Sequence, residues 1–227
     1  YQLCVETTDS EDCTEAIVWR PTFDSYYPIN EGEGYTLFDD VADRDIVISD
    51  TDPITWETGI GIDDTYVAIP RPTNVDRSLL DSINTFGAWV NLPTSGSQFV
   101  AQFGDIIDLQ ANNPVDGDIQ YRTTDTGGNY QVSNGFTVGV NKWVFTSYII
   151  DSANSEVTLY AGLPQDNSLS VIDTLAIDDQ AITNQMLTFD VDFGNTTLGI
   201  DGLFLDTDPT LEEIELFFDY SKEDHIA

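Results

Sequence analysis

From Trp143 to Ile150 apolar residues crowd both parities of the chain. In an extended strand Trp143, Phe145, Ser147 and Ile149 point one way, and Val144, Thr146, Tyr148 and Ile150 the other. Both faces are largely apolar, which predicts a strand covered on both sides. The polar stretch Asp151–Glu156 follows. Val157–Gly162 then returns as a second strand, rich in β-branched and aromatic residues, so Lys142–Pro164 reads as a β-hairpin. Upstream, the same pattern predicts strands at Tyr35–Phe38, Asp45–Ile48, Thr65–Ile69, Thr85–Leu92, Gln98–Phe103 and Asp105–Leu109, with Gly104 as a bulge or turn. Ser78–Ile83 reads as a helical turn. Further strands are predicted at Ile119–Arg122, Asn129–Val132, Phe136–Val140, Leu169–Ala176, Leu187–Phe193, Thr197–Ile200 and Ile214–Phe218. Ser133-Asn134-Gly135 carries a hairpin signal between two of them. No long segment shows a period of 3.6. Short strands separated by Asp, Gly and Pro turns predict an all-β sandwich or jelly roll.

The first twenty residues form a smaller unit. Two β-like runs flank Thr8-Asp9, and antiparallel pairing about that turn sets Cys4 opposite Cys13. A disulfide there would close a short loop worth about 3 kcal/mol and imply an extracytoplasmic setting. The alternative is two free thiols. Metal binding by this pair is disfavoured without further Cys or His. Arg20-Pro21 ends the unit, which is either an extra hairpin or the last piece of an upstream module. Residues 21–227 then form the main domain. A chain opening at Tyr1 inside a strand-like run reads as a processed or partial chain.

Composition changes the picture through charge. The 227 residues are 41% hydrophobic, enough for a proper core. Against 7 Lys and Arg stand 41 Asp and Glu, a formal charge of −34. The acids are scattered along the chain rather than gathered in a tail. Such self-repulsion destabilises a compact state at ordinary salt. Near 1 M salt the Debye length is about 3 Å and the repulsion is screened. The balance predicts a protein built for high salt, with an acidic secreted protein from ordinary salt as the alternative. Nothing supplies a phosphate-neutralising patch, which excludes nucleic-acid binding. No apolar run reaches the roughly 18 residues of a helical membrane span.

Several motifs follow one another in a recognisable order. They begin with Tyr27-Pro28-Ile29-Asn30-Glu31-Gly32-Glu33-Gly34 and Phe38-Asp39-Asp40-Val41. Trp56, Gly59-Ile60-Gly61 and Asp63-Asp64-Thr65-Tyr66-Val67-Ala68-Ile69-Pro70 come next. Phe86-Gly87-Ala88-Trp89-Val90, Lys142-Trp143, Leu159-Tyr160-Ala161-Gly162 and Glu212-Glu213-Ile214-Glu215-Leu216-Phe217 complete the set, closed by a turn over Asp219–Ile226. This ordered set resembles the laminin G-like domains of the concanavalin A-like jelly-roll superfamily, over residues 27–226. Glu215 stands where that family often carries Arg, and 112–130 follows no family pattern. The resemblance implies a concanavalin A-like jelly roll. It also implies a binding or spacer module on a secreted, cell-surface or virion protein, with glycan or protein ligands and often a structural calcium ion.

Candidate chemistry is weighed against a chain full of acids. Glycosidases of this superfamily place carboxylates at period 2 on one strand, and retaining chemistry needs two carboxyls about 5–5.5 Å apart. Glu213 and Glu215 offer such a pair without a third acid, as do Asp190 and Asp192. The single histidine, His225, lies at the chain end and reads as frayed. No catalytic residue is assigned. A hard cation, Ca2+ or Na+, fits Asp63 and Asp64 best and Asp39 and Asp40 second, against the bland reading of solvated acids. No organic cofactor is expected. Trp56, Trp89 and Trp143 read as core. A glycan site needs an aromatic platform and planar polar groups. The polar stretch 112–130 supplies Asn112, Asn113, Tyr121, Arg122, Asn129 and Tyr130, against the alternative of a solvated loop. Asn195-Thr196-Thr197 is an N-glycosylation pattern.

The expectation is a non-enzymatic adhesion or recognition module, glycan-binding, on the surface of a halophilic archaeon or its virus. Its partner would be a surface glycan or surface protein. The alternative is a structural subunit of a filament, capsid decoration or tail fibre that self-assembles with its neighbours. A glycoside hydrolase ranks third.

Overall fold

The computed structural model describes residues 4–7, 10–13, 22–42, 44–47, 54–62, 65–69, 73–74, 84–92, 98–103, 107–111, 115, 117–178, 187–189 and 198–226. Strands are numbered in chain order. β1 (Cys4–Thr7) and β2 (Ser10–Cys13) form a two-stranded sheet of their own. Their register sets Cys4 opposite Cys13, as the pairing about Thr8-Asp9 predicts. The turn residues Thr8 and Asp9, together with Arg20-Pro21 and Ser78–Ile83, lie outside the described residues.

Among the described residues the larger sheet has eight strands. Its order is β17 (Ser170–Ala176), β16 (Glu156–Gly162), β15 (Trp143–Asp151), β9 (Thr85–Asn91), β19 (Leu198–Asp206), β7 (Thr65–Ile69) and β6 (Thr55–Thr58). β3 (Ser25–Tyr27) also pairs with β19. Among the described residues the smaller sheet has seven strands. It runs β13 (Tyr130–Val132), β12 (Asp118–Thr124), β11 (Ile107–Ala111), β10 (Gln98–Phe103), β18 (Leu187–Phe189) and β8 (Thr73–Asn74). β14 (Phe136–Thr137) pairs with β12. β4 (Thr36–Leu37) and β5 (Ile46–Val47) make a separate short ladder. Pairing within the sheets is antiparallel, and the architecture is an all-β, jelly-roll-like sandwich. Among the described residues no helix is long and apolar enough to cross a membrane.

The core between the sheets follows from alternation. Phe86, Ala88 and Val90 of β9 and Val144, Tyr148 and Ile150 of β15 meet Ile107, Leu109 and Ala111 of β11 and Ile119 and Tyr121 of β12. The opposite parity of the larger sheet builds a second core. Trp89, Trp143, Phe145 and Phe204 pack there with Phe23, Tyr26, Ile214, Phe217 and Phe218. The last three belong to α1 (Leu211–Ser221), which lies on the outer face of this sheet. This layer is why β15 is apolar on both sides.

Three expectations are corrected here. The run Ile214–Phe218 is helix, not strand. Thr210 and Glu213 form a capping box, and Ile214, Phe217, Phe218 and Ser221 share the buried face at helical spacing. On a helix Glu213 and Glu215 do not share a face, so the period-2 carboxylate pair does not form. Glu213 instead accepts from the Thr210 amide at 3.0 Å, the Thr210 hydroxyl at 2.7 Å and the Thr22 hydroxyl at 2.8 Å. These bonds hold its carboxyl below the usual range. Asp190 and Asp192 lie outside the described residues. Second, β13 and β14 do not form a hairpin with each other. Both pair with β12, and Ser133 bridges back to Tyr121 through its amide at 2.8 Å and its hydroxyl at 2.9 Å. Third, His225 is not frayed; it is 1% exposed under α1.

One irregularity positions the layer under the helix. β19 carries a bulge between Asp201 and Phe204, with Gly202 at φ 54°. The extra residue lets Ile200 and Leu203 face the inner core while Asp201 and Phe204 face the helix. The left-handed backbone favours glycine here, and a Cβ on Gly202 would fall 2.8 Å from the terminal methyl of Ile62.

Candidate binding face on the smaller sheet

Two adjacent strands of the smaller sheet alternate strictly. In IDLQA and DIQYRTT the residues Ile107, Leu109, Ala111, Ile119 and Tyr121 enter the core. Period 2 therefore sends Asp108, Gln110, Asp118, Gln120 and Arg122 to the outer face. Cross-strand register sets Asp108 opposite Arg122 and Gln110 opposite Gln120. The row through Asp108 continues along the backbone register to Gln102, Thr188 and Asn74 on one side and Val132 on the other.

The outer face is a polar network in which Asp108, Gln110 and Gln120 are buried, so that Arg122 and Tyr130 are the parts of it that reach solvent. Arg122 Nε donates to Asp108 Oδ2 at 2.6 Å, and a terminal guanidinium nitrogen reaches the same oxygen. Gln120 Nε2 donates to Gln110 Oε1 at 3.0 Å. Asp118 is only 8% exposed, yet its Oδ1 has no hydrogen-bond partner among the described residues. At the rim Tyr130 is 65% exposed, and the Arg122 guanidinium carbon sits 4.6 Å from its ring centroid. Asn129 helps project that ring. Its amide and side chain, with the Gly127 amide, donate to Asp125, closing the turn ahead of β13. Those donors hold the Asp125 carboxyl below its usual range, Asn129 contributing most.

The structure redistributes the candidate ligand residues. Arg122 and Tyr130 come together on one face, and Asn129 braces their turn. Tyr121 leaves the set: it is fully buried, with its hydroxyl 2.5 Å from Thr146 Oγ1, and burial pushes its phenol far up. An extended loop would let Tyr121 and Arg122 act together, but a strand points neighbours to opposite faces. Asp108, Gln110, Asp118 and Gln120 were missed. Their signal is the polar parity shared by two neighbouring short strands.

Asn112, Asn113, Asn195, Asp63 and Asp64 lie outside the described residues. Asp39 is half-buried and organises a turn. Its Oδ1 accepts from the amides of Tyr26 and Val41 at 3.0 Å and of Ala42 at 3.2 Å. The Asp40 amide donates to Tyr26 O at 2.8 Å, and its side chain is exposed. Its other oxygen, Oδ2, is buried without a hydrogen-bond partner among the described residues. Among the described residues no group of three or more His, Cys, Asp or Glu is placed to share a metal ion.

A second polar group lies under α1. His225 stacks on Trp89 at 4.2 Å between ring centroids and meets Trp143 edge-on. Its Nδ1 lies 2.9 Å from Ser221 O and its Nε2 lies 2.9 Å from Asp201 Oδ2. Ile62 N donates to the same carboxylate oxygen at 2.6 Å. Both ring nitrogens therefore face acceptors, and the His225–Asp201 pair needs a shared proton to satisfy both contacts. Burial pushes the Asp201 carboxyl up to about 6, against the lowering pull of His225. The Ser221 hydroxyl accepts from Trp89 Nε1 at 2.8 Å and donates to Phe217 O at 2.7 Å. The histidine thus touches the serine's carbonyl, not its hydroxyl, and the trio is a structural lock rather than a nucleophile with its base. A cavity of about 240 Å3 opens beside it, lined in part by Trp143, Lys142, Leu163 and Ile226.

No family model and no curated protein matches the chain. Its fold is similar to that of solved toxin binding domains. The binding domain of botulinum neurotoxin serotype D aligns with TM-score 0.61 and 13% identity, over 87% of this chain and 51% of that one. The binding domain of botulinum neurotoxin DC in complex with SialylT aligns with TM-score 0.52 and 12% identity, over 86% and 50%. A structure of botulinum neurotoxin type C, whose cell entry depends on interaction with two ganglioside molecules, aligns with TM-score 0.53 and 12% identity, over 87% and 51%. The chain spans about half the length of each. At such identities the likeness establishes a shared all-β, jelly-roll-like fold.

Proposed function

We propose that this chain is a non-enzymatic, extracellular recognition module that binds glycan on the outer face of its smaller sheet. The observation that carries this reading is the network Asp108–Arg122 and Gln110–Gln120 beside the exposed Tyr130 ring. Planar amides, a carboxylate and a guanidinium match the paired hydroxyls of a sugar ring, and an aromatic face matches its C–H surface. The laminin G-like motif order supports a surface binding module. The fold-level relatives are binding domains, one of them in complex with SialylT. That ligand is a property of the relative, and its position is not carried over to the half-length match.

The reading includes a setting. A formal charge of −34 supports a high-salt cell or virion surface, of a halophilic archaeon or its virus. The opposed Cys4 and Cys13 support a disulfide, which a mass change on reduction followed by alkylation would reveal. A structural Ca2+ or Na+ at Asp63 and Asp64, and glycosylation at Asn195, remain parts of the same proposal.

The test is a glycan-array screen in about 2–3 M salt, where repulsion is screened. Wild type is expected to bind sugars, and Tyr130→Ala and Gln120→Ala to lose that binding while keeping the wild-type circular dichroism spectrum. An array without any bound sugar overturns the reading. One observation favours the structural-subunit alternative. β17 ends the larger sheet among the described residues, with Val171 60% exposed; its last residue Ala176 is tied to the smaller sheet through Gln131 and Thr123, which leaves the first part of the strand for pairing with another chain. Light scattering on the same sample separates the two: a monomer that binds sugar supports recognition, and an oligomer or filament that binds none supports assembly.

A further inference from the structure

We infer that the cavity beside the C-terminal turn is a second binding site, which takes a small carboxylate with an apolar body. It is separate from the smaller-sheet face and does not depend on the glycan reading. Three stretches distant in sequence meet around it: Lys142 and Trp143 where β15 starts, Leu163 and Pro164 after β16, and His225 and Ile226. Each wall is fixed by hydrogen bonds of its own. Asn141 takes the left-handed conformation at φ 53°, which asparagine tolerates. Its amide donates to Leu92 O at 3.0 Å, and the Leu92 amide donates to Lys142 O at 3.1 Å. The Leu163 amide donates to Asp166 Oδ2 at 2.8 Å, and the Asp166 amide to Leu163 O at 2.9 Å. Asp201 and Ser221 O hold the His225 ring. The walls are thus set before a ligand arrives, which lowers the ordering cost of binding.

Size, lining and charge select the ligand class. The cavity measures about 240 Å3. An apolar cavity of about 150 Å3 holds benzene, so there is room here for a six-membered ring and one small head group. Trp143, Leu163, Pro164 and Ile226 make the walls largely apolar, and Ile226 is 57% exposed, area that an apolar body would cover. The head is set by Lys142. No Asp or Glu lines the cavity among the described residues, in a chain where acids outnumber Lys and Arg 41 to 7. Lys142 is exposed and makes no ion pair among the described residues. Asp166, beside the lining residue Gln165, gives its Oδ2 to the Leu163 amide, and Lys222 is spent on Asp219 at 2.7 Å. A solvated lysine loses nothing by standing alone, so its effect is selectivity: an anionic head gains a partner that a neutral or cationic one lacks. One ammonium and the Gln165 amide suit a singly charged carboxylate. The charge of −34 repels anions at long range, and high salt screens that repulsion while a contact pair persists.

The probes are benzoate, neutral benzyl alcohol and cationic benzylamine, which share a ring and differ in the head. Each is titrated into the full chain in about 2–3 M salt and followed by amide and indole NMR shifts. Benzoate is expected to bind with Kd near about 1 mM and to shift Lys142, Trp143, Leu163 and Ile226. It should bind about three- to fivefold more tightly than benzyl alcohol, the gain open to an exposed ion pair, with benzylamine weakest. Lys142→Glu, at an exposed position, should reverse the order and make benzylamine the tightest. Shifts centred elsewhere, or none from any probe at about 10 mM, overturn the site. Equal binding of the three by wild type, or an order that Lys142→Glu leaves unchanged, overturns the carboxylate assignment. The wild-type order decides the class even if the variant fails to fold. Glycan binding at the smaller sheet is tested separately by the array and stands or falls without this result.

Discussion

The outer faces of the two sheets make opposite choices from the same alternation. On the larger sheet the outward parity carries Trp89, Trp143, Phe145 and Phe204, and α1 covers them. On the smaller sheet the outward parity of β11 and β12 carries Asp108, Gln110, Asp118, Gln120 and Arg122. A face that receives a second layer becomes aromatic core. The other face is shielded from solvent as well, with Asp108, Gln110, Asp118 and Gln120 buried, but as a polar network tied by cross-strand hydrogen bonds, and it meets solvent at the rim of Arg122 and Tyr130. Stability and recognition are thereby assigned to different sides of one sandwich.

Breaking the covered face has the largest expected effect. Phe217 contacts Phe23, Tyr26, Phe145 and Phe204. Phe217→Ala is expected to lower stability by about 3–5 kcal/mol, measured by denaturant unfolding at fixed high salt, without a specific effect on sugar binding. A loss below about 1 kcal/mol would show that the helix is a minor layer.

The next effect is a pH dependence confined to the same face. Asp201 has a folded value of about 6 against an ordinary 3.8, so it binds its proton more tightly when folded. Its contribution is fully present below about pH 3.8 and is lost as pH rises through about 6. Two units correspond to roughly 3 kcal/mol. Other carboxylates also titrate, so the readout is a difference. The stability of wild type minus that of Asp201→Asn should fall by up to roughly that amount between about pH 4 and 7. A flat difference would remove Asp201 as the titrating group.

Smaller changes sharpen the contrast. Thr210→Ala removes the cap that starts α1 and should cost about 1 kcal/mol in the same unfolding assay. Tyr130→Ala, on the open face, should shift stability by less than about 0.5 kcal/mol while abolishing glycan binding. A large stability loss there would place Tyr130 in the core's energetics and weaken the division between the faces.

Particular residues show how far the chain was legible. The parity of β15 foretold two covers, and the pairing about Thr8-Asp9 foretold the opposition of Cys4 and Cys13. The helix went unread although Thr210 and Glu213 carry a capping-box signature, because Ile214–Phe218 is short and apolar enough to fit either period. His225 looked frayed because position in the chain says nothing about a partner 24 residues away, Asp201. The chemistry of Arg122 and Tyr130 points to them directly, whereas Tyr121 joins them only if the alternation of the predicted strand Ile119–Arg122, which sets it opposite Arg122, is ignored.

While Ser25–Tyr27 and Thr55–Thr58 went unread and Ile214–Phe218 was read with the wrong period, local pattern alone indicated most of the longer strands and their buried parities, and composition the acidic balance. These depend on neighbours along the chain and on composition, both of which a sequence displays directly. Tertiary structure decided which outward face would be covered, and with it the placement of α1, the burial of Asp201 with His225, and the meeting of Arg122, Asp108 and Tyr130. Each of those depends on which distant segments pack together, and alternation on a single strand specifies two faces without specifying what either one meets.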